Sequence, residues 1–224
     1  MIELNDPSTL NAMTPGLLQK LAARLSFAFA ARSVRALVLQ GAGPHFCTGG
    51  RYDKQASTHP SWWAKAHGLC GSGCLLDRIR SAPIFSVSVL HGSSIGGGLL
   101  LGLVADHRVA TSSAAFRLGV APYGLSPVVM ATRVLPMLLG SRFSTRAYVE
   151  DLIVDVRCAE ASNVVCRALP SLRAAREYAL FRVFVGRRVS WTSAAIEKHG
   201  QHFVRETLLN IEASETVNEN LSWS

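Results

Sequence analysis

The chain has 224 residues, 49% of them hydrophobic and 17% charged, and its net charge is +8. This composition is globular and excludes an intrinsically disordered chain, and the length suffices for a domain with a buried core. The basic charge is expected to attract an acidic partner, but scattered arginines disfavour a nucleic-acid-binding stripe.

The first half of the sequence predicts helices that alternate with buried strands. Thr14 followed by Pro15 indicates the start of a helix, since Thr caps a helix well and Pro fits its first position. Runs rich in apolar residues at 34–41 and 84–90 are typical of strands buried on both faces. A helix is expected at about 61–79, and "LLLGLV" and "HRVAT" then predict a helix and a short strand.

The second half is predicted to be mainly helical. Ser126 as N-cap and Pro127 at the first position indicate a helix that runs to about Leu139. A shorter helix is expected at 144–152, and three more are expected at 171–185, 190–199 and 202–217. Strand, glycine turn and helix succeed one another twice before this helical end, which is an α/β pattern. We therefore expect a core at 1–170 and a C-terminal helical region at 171–224.

Cysteine usage and hydropathy indicate the compartment. Five cysteines without a disulfide-rich layout favour reduced thiols. Cys70 and Cys74 with His67 do not have a usual zinc spacing, so no metal site is predicted. No secretory signal is visible, and the longest apolar runs are too short to span a bilayer. A cytoplasmic protein is expected.

Two glycine turns raise the question of what approaches the backbone. Gly96, Gly97 and Gly98 follow one buried strand, and Gly49 and Gly50 follow the other. The triplet does not fit a Walker A loop, a dinucleotide turn or a nucleophile elbow. Close helix–strand packing would explain one glycine, whereas three in a row favour the approach of a ligand oxygen. One N–H from each turn, converging on that oxygen, would form an oxyanion hole for a thioester enolate.

The segments "NAMTPGLLQKL", "VRALVLQGAGPHFCTGG" and "HGSSIGGGLLLGLVAD" resemble the crotonase (enoyl-CoA hydratase/isomerase) superfamily over nearly the whole chain. The resemblance implies a crotonase-like ββα spiral core with a C-terminal helical trimerisation region, as a trimer or a dimer of trimers. It also implies that the amides of Gly50 and Gly97 are the oxyanion donors. The substrate would be a thioester of CoA or of a carrier protein.

The family pattern breaks at two catalytic positions. Hydratases of this family carry one glutamate two residues after the triplet and another four residues after the phenylalanine that matches Phe116. Leu100 and Val120 stand at those positions. Neither side chain can activate water or move a proton. Hydration and glutamate-driven isomerisation by the usual mechanism are therefore disfavoured.

The run "YGLSPVVMATRVLPMLLG" resembles the decarboxylase branch that acts in polyketide β-branching. Those enzymes convert a 3-methylglutaconyl thioester on an acyl carrier protein to a 3-methylcrotonyl thioester, and an apolar wall suits a substrate that carries a carboxylate. Acyl carrier proteins are acidic, which agrees with the charge of +8. No metal or redox cofactor is expected. The alternatives are a CoA-linked family enzyme of another specificity and a non-catalytic thioester-binding homologue.

The same resemblance supplies the remaining candidates. Its lysine after the first turn is matched by Lys54, although Tyr52 lies nearer the expected register and Arg51 is another cation for the substrate carboxylate. Its C-terminal histidine, the proton donor, is matched by His199, with His202 in reserve.

Three further residues complete the hypotheses. Tyr123 is a candidate for lining the acyl pocket. His91, beside the second turn, and Asp106, at a helix end, are expected to make structural hydrogen bonds.

Overall fold

The computed structural model describes residues 1–31, 33–50, 75–124 and 131–186. Eight strands are described, in chain order: β1 (Ile2–Leu4), β2 (Ala36–Gly41), β3 (Phe85–Leu90), β4 (Ser93–Ile95), β5 (His107–Thr111), β6 (Ala115–Arg117), β7 (Ile153–Asp155) and β8 (Arg167–Leu169). The described α-helices are α1 (Pro15–Ala30), α2 (Leu75–Arg80), α3 (Gly97–Leu103), α4 (Ala131–Leu139), α5 (Ser141–Val149), α6 (Val156–Ala161) and α7 (Leu172–Gly186). Short 3-10 helices lie at Pro7–Thr9 and Ala121–Tyr123.

The larger sheet has five parallel strands in the order β1-β2-β3-β5-β8. In its centre Val38 lies opposite Val87, which in turn lies opposite His107. Five of the six residues of β2, and likewise of β3, are buried. Both apolar runs are therefore strands covered on two faces, as the sequence predicts.

The two faces of this sheet belong to different apolar clusters. On one face Val87 and Val109 pack against Ala175 and Ala179 of α7. The other face contributes to a larger cluster that includes Leu39 and residues of α1 and α3. This burial of apolar surface is the main stabilisation of the fold, and it fixes the strand ends from which the glycine turns depart.

The smaller sheet has three strands in the order β4-β6-β7. β4 and β6 are parallel, with Ile95 opposite Arg117, whereas β6 and β7 are antiparallel, with Phe116 opposite Val154. Phe116 is 1% exposed and anchors this sheet in the larger cluster. The smaller sheet therefore places the residues after Phe116 beside the second glycine turn.

The helix predictions hold where the structure describes them. The Thr14 side chain accepts a hydrogen bond from Leu17 N at 3.2 Å and caps α1, and Pro15 is its first residue. α4 ends at Leu139, as predicted, and Pro136, which is expected from the sequence to kink or shorten this helix, lies inside it and does not end it. The helix expected at 144–152 begins and ends three residues earlier, and Asp151 then has a left-handed φ of 49°, which a continuing helix does not allow.

Several predicted features lie outside the described residues. They are Ser126 and Pro127, most of the helix at 61–79, and the helices at 190–199 and 202–217. The described part is an α/β fold with a parallel sheet covered by helices, which confirms the fold class. Within the described ranges no helix is both long and apolar enough to cross a membrane.

Candidate thioester-binding site

The two glycine turns are joined directly through their backbones. Cys47 N donates to Ser93 O at 3.4 Å, and Ile95 N donates to Cys47 O at 3.0 Å. Together these bonds form a parallel bridge that pairs Cys47 with Ser94. The turns after β2 and β3 therefore form one hydrogen-bonded unit, although 45 or more positions separate them in the sequence.

Close packing between the turns explains two of their glycines. A Cβ at Gly49, where φ is +79°, would lie 2.4 Å from Ile95 O, and one at Gly98 would lie 2.3 Å from Cys47 O. Both clashes are with backbone atoms that cannot move aside. Gly96 has a positive φ of 54°, which a side chain disfavours. The prediction that ligand approach excludes side chains from the whole triplet is therefore too broad.

Gly97 differs from its neighbours because, among the described residues, a Cβ there would meet only the Met13 side chain, with Sδ at 2.8 Å. As the first residue of α3, Gly97 has no intrahelical acceptor for its N–H. Gly96 O accepts from Leu100 N at 3.1 Å, and C=O and N–H point in opposite directions across a trans peptide. The Gly97 N–H therefore points away from the helix.

The same peptide geometry orients the donor of the first turn. Gly49 O accepts a hydrogen bond from Met13 N at 2.8 Å. Gly50 N belongs to the same trans peptide, so its N–H points away from Met13 N. The backbone thus leaves one outward-pointing amide on each turn, at the two positions that the family resemblance assigns to the oxyanion donors.

Leu100 and Val120 are both apolar and buried. Each is 6% exposed, and both belong to the same large hydrophobic cluster. Leu100 lies in the first turn of α3 after Gly97, and Val120 directly precedes the 3-10 helix Ala121–Tyr123. A carboxylate at either place would lose its hydration among aliphatic neighbours. We call these two residues the apolar wall below.

Two polar side chains near the turns make structural hydrogen bonds. His91 is buried, and its Nε2 donates to Gly43 O at 3.1 Å, while burial lowers the pKa of its imidazole. Asp106 Oδ2 accepts from Ser86 N and from its hydroxyl, at 2.9 and 2.7 Å. Both predictions are confirmed. Burial also raises the pKa of the Cys47 thiol to about 11, so that it is not a nucleophile at neutral pH.

Sequence reasoning missed Asn11, whose side chain is hydrogen-bonded to the loop that leads into the first turn. Its side chain is fully buried, and Nδ2 donates to Ala42 O, His45 O and Phe46 O at 2.8, 2.9 and 3.2 Å. One amide thereby satisfies three carbonyls of the loop that leads into Gly49. The signal is an Asn two residues after a Thr in a loop, which alone does not reveal partners more than 30 positions away.

The other candidates have different outcomes. Tyr123 ends its 3-10 helix and is 47% exposed, so its place in an acyl pocket stays a prediction. The roles of five further candidates also stay predictions, because these residues lie outside the described ranges: Arg51, Tyr52, Lys54, His199 and His202. Among the described residues, no three His, Cys, Asp or Glu side chains are grouped so that they could hold a metal ion.

The parallel sheet and the paired glycine turns define the class of fold, and comparison with known proteins identifies the family. The model of the family described as "Enoyl-CoA hydratase/isomerase" matches residues 1–182. The chain belongs to the enoyl-CoA hydratase/isomerase family.

Among its relatives, "Probable enoyl-CoA hydratase EchA12" of Mycobacterium tuberculosis is 29% identical over 238 residues, covering 94% of this chain and 83% of that protein. "Mevalonyl-coenzyme A hydratase SIDH" of Beauveria bassiana is 31% identical over 153 residues, 62% of this chain and 52% of that protein.

Solved structures agree on the fold. Enoyl-CoA hydratase from Bacillus halodurans superposes with a TM-score of 0.78 at 19% identity, covering 98% of this chain and 86% of that one. DspI of Pseudomonas aeruginosa superposes with a TM-score of 0.78 at 25% identity, covering 96% of this chain and 83% of that one. The crotonase-like fold predicted from the sequence is confirmed.

Proposed function

We propose that the protein decarboxylates a 3-methylglutaconyl-type thioester, carried by an acyl carrier protein, to a 3-methylcrotonyl-type thioester in polyketide biosynthesis. One observation carries this proposal: the two positions at which a hydratase holds glutamates are a buried apolar wall, while both backbone donors remain. The wall removes the groups that activate water and leaves the stabilisation of an enolate.

In the proposed reaction the thioester oxygen accepts hydrogen bonds from the Gly50 and Gly97 amides. The bond between the carboxylate and its carbon breaks, CO2 departs, and the electron pair passes through the conjugated chain to the thioester oxygen. A proton then returns to carbon, and the carbon that receives it decides the position of the double bond. Hydrogen bonds to the oxygen strengthen as it becomes an enolate, which lowers the barrier.

The side chains assigned to the carboxylate and the proton come from the family resemblance. Lys54, Arg51 or Tyr52 would hold the carboxylate, and His199, or else His202, would deliver the proton. An apolar wall at Leu100 and Val120 favours release of CO2, because a buried carboxylate there would repel the substrate's own. The carrier would supply the substrate on phosphopantetheine, and the reaction would need no metal or redox cofactor.

The test is mass spectrometry of a carrier protein loaded with the 3-methylglutaconyl group. We expect a product lighter by one CO2, and an unchanged mass would refute the decarboxylase. Gly97→Pro isolates the donor, because proline fits the first position of a helix but has no N–H. Its rate should fall about 100-fold or more. The control Gly97→Ala keeps the N–H and requires only that the Met13 thioether shift.

The proton donor is tested by His199→Gln, which should slow protonation more than thioester binding. An unaffected rate would assign the acid to another residue, with His202→Gln as the next variant. A basic protein that meets an acidic carrier should also lose affinity as salt rises. Light scattering tests the expected trimer or dimer of trimers.

A CoA thioester in place of the carrier is the second candidate, and the names of the relatives favour it. In this alternative the protein is a CoA-linked enzyme of the family with another specificity, so it keeps the oxyanion donors and changes both the carrier and the reaction. Conversion of crotonyl-CoA to a hydrated product would support it. Binding of crotonyl-CoA without any conversion would leave the non-catalytic thioester-binding homologue as the better description.

A further inference from the structure

One carboxylate outside the two turns contacts the segment that closes the second turn. Asp151 accepts hydrogen bonds from Arg117 through Nε at 2.9 Å and through Nη2, all at Oδ2. Its other oxygen, Oδ1, accepts from the backbone N of Gly119 at 2.9 Å. The Asp151 side chain is 12% exposed and that of Arg117 is 40% exposed, so the carboxylate is shielded from water while its partner is partly solvated. Both of its oxygens are thereby used to hold residues 117–119.

The segment 117–119 is in turn bonded to the second glycine turn. Arg117 O accepts from Gly96 N at 3.0 Å, so the amide before Gly97 is occupied by this segment. Gly119 has a φ of +64°, and a Cβ there would lie 2.8 Å from Cγ2 of Ile95, the residue before Gly96. The same segment continues directly into Val120 of the apolar wall. Its position therefore affects the Gly97 donor and the wall together.

We infer that Asp151 is a positioning residue for the candidate oxyanion hole, acting through Arg117 and Gly119 on the Ile95–Gly96 peptide, which directly precedes the peptide of the Gly97 N–H, and on Val120. This inference rests on the proposed function for the role of Gly97. The bond from Gly96 N to Arg117 O fixes the Ile95–Gly96 peptide, and the bond from Leu100 N to Gly96 O fixes the next one, so the Gly97 N–H keeps its orientation when charge develops nearby. Asp151 has a left-handed φ of 49°, which is unfavourable for a residue other than glycine. The hydrogen bonds of its carboxylate explain why Asp is kept in this conformation.

Substitutions at position 151 can separate the effect of the Asp151 side chain from that of its backbone conformation. Because φ is positive, Gly suits position 151 better than Asp does, so Asp151→Gly removes the carboxylate without straining the chain. Asp151→Asn keeps one oxygen that can accept from Gly119 N. It replaces the oxygen that accepts from Arg117 with an amide NH2 group, which can only donate. The matched control is Glu150→Gln, since Glu150 accepts both hydrogen bonds from Arg146 within α5 at 2.9 Å.

The first measurement is amide hydrogen exchange, which needs no substrate. In Asp151→Gly the Gly96 and Gly119 amides should exchange at least tenfold faster, while amides of β2 and β3 keep their protection. Asp151→Asn should restore part of the protection at Gly119. Glu150→Gln should leave both amides unchanged. Equal protection at Gly96 and Gly119 in wild type and Asp151→Gly would overturn the inference.

The second measurement is the ¹³C shift of the thioester carbonyl in bound crotonyl-CoA, which reports polarisation by the donors. We expect a downfield shift in wild type and Glu150→Gln, and a smaller one in Asp151→Gly at similar affinity. An equal shift in Asp151→Gly would also overturn the inference. If wild type itself shows no shift, the proposed thioester site fails, and the exchange of Gly96 and Gly119 still decides whether Asp151 positions the turn.

Discussion

The two glycine turns and the apolar wall differ in which part of the chain performs their role. The turns present main-chain amides that are oriented by hydrogen bonds of their own peptides, from Met13 N to Gly49 O and from Leu100 N to Gly96 O. The wall consists of side chains, Leu100 and Val120, at places where hydratases of the family hold glutamates. The difference teaches that binding of a thioester oxygen and transfer of protons are separable, since only the second depends on residue identity.

The largest expected effect tests how rigid the turns are. Gly98→Ala places a Cβ 2.3 Å from Cys47 O and should destabilise the fold by more than about 3 kcal/mol, because backbone must move. Gly97→Ala meets only the Met13 thioether and should cost less than about 1 kcal/mol. Urea unfolding measures both. Similar losses in the two variants would contradict the view that packing between the turns selects Gly98.

The second prediction concerns the wall. Leu100→Glu puts a carboxyl group into a site that is 6% exposed, so we expect a loss of about 2 kcal/mol and a raised pKa for the new side chain. Decarboxylation should fall about tenfold further in Leu100→Glu than in Leu100→Gln, because only the glutamate adds a charge that repels the substrate. Turnover of loaded carrier protein at pH 8 measures this.

Comparison of Leu100→Glu with Leu100→Gln shows whether charge or shape matters at this position. If Leu100→Glu and Leu100→Gln lose the same activity, then shape and not charge selects an apolar residue in the wall. The stabilities of both variants are measured alongside, so that loss of folded protein is not mistaken for loss of chemistry.

The smallest expected effect concerns the pH dependence of stability, which we expect His107 to change without changing the candidate site. Burial first, and then the charges of Arg182 and Arg108, lower the pKa of His107 to about 4. Its unfolded pKa is about 6.5, so the unfolded chain binds more protons between these values, and stability falls as pH decreases. The free energy of unfolding of the wild type should therefore fall between pH 7.5 and pH 5. With solvent screening allowed for, His107→Gln should make this fall about 1 kcal/mol smaller.

The control for this prediction is the pH–rate profile. His107 lies on β5 beside Tyr178 of α7, with ring centroids 6.1 Å apart, and outside both the turns and the wall. The rate profile of His107→Gln should therefore match that of wild type while its stability profile is flatter. A shifted rate profile would connect His107 to the reaction and contradict the assignment of the acid to the C-terminal region.

Local patterns predict much of this fold because local physics determines it. Thr14 and Pro15 specify the start of α1 through a side-chain acceptor and a fixed φ, and the apolar runs specify β2 and β3 through burial on both faces. The short strands β4 and β7 have three residues each and no periodic signal. They form only because their partners, distant in sequence, satisfy their backbone groups.

The candidate site is predictable to a similar depth. Glycines after strands indicate the two turns, but the choice of Gly50 and Gly97 as donors comes from the family resemblance and stays a prediction. The wall is proposed because Leu100 and Val120 depart from the family pattern. Asn11 and Asp151 are not found, since their roles depend on hydrogen bonds to partners more than 30 positions away. A sequence also does not reveal that Gly98 is required by Cys47 O rather than by a ligand.

The orientation of the Gly50 and Gly97 amides by their own peptides has a consequence for how such a site can change over time. Every residue except proline carries the same N–H, so substitutions of the side chains around the turns, apart from the tightly packed Gly49 and Gly98, leave the two amides in place. Mutation can therefore explore those side chains while the candidate oxyanion donors keep their orientation. A family with this arrangement can acquire a new reaction by exchanging two or three residues, without building a new binding site first.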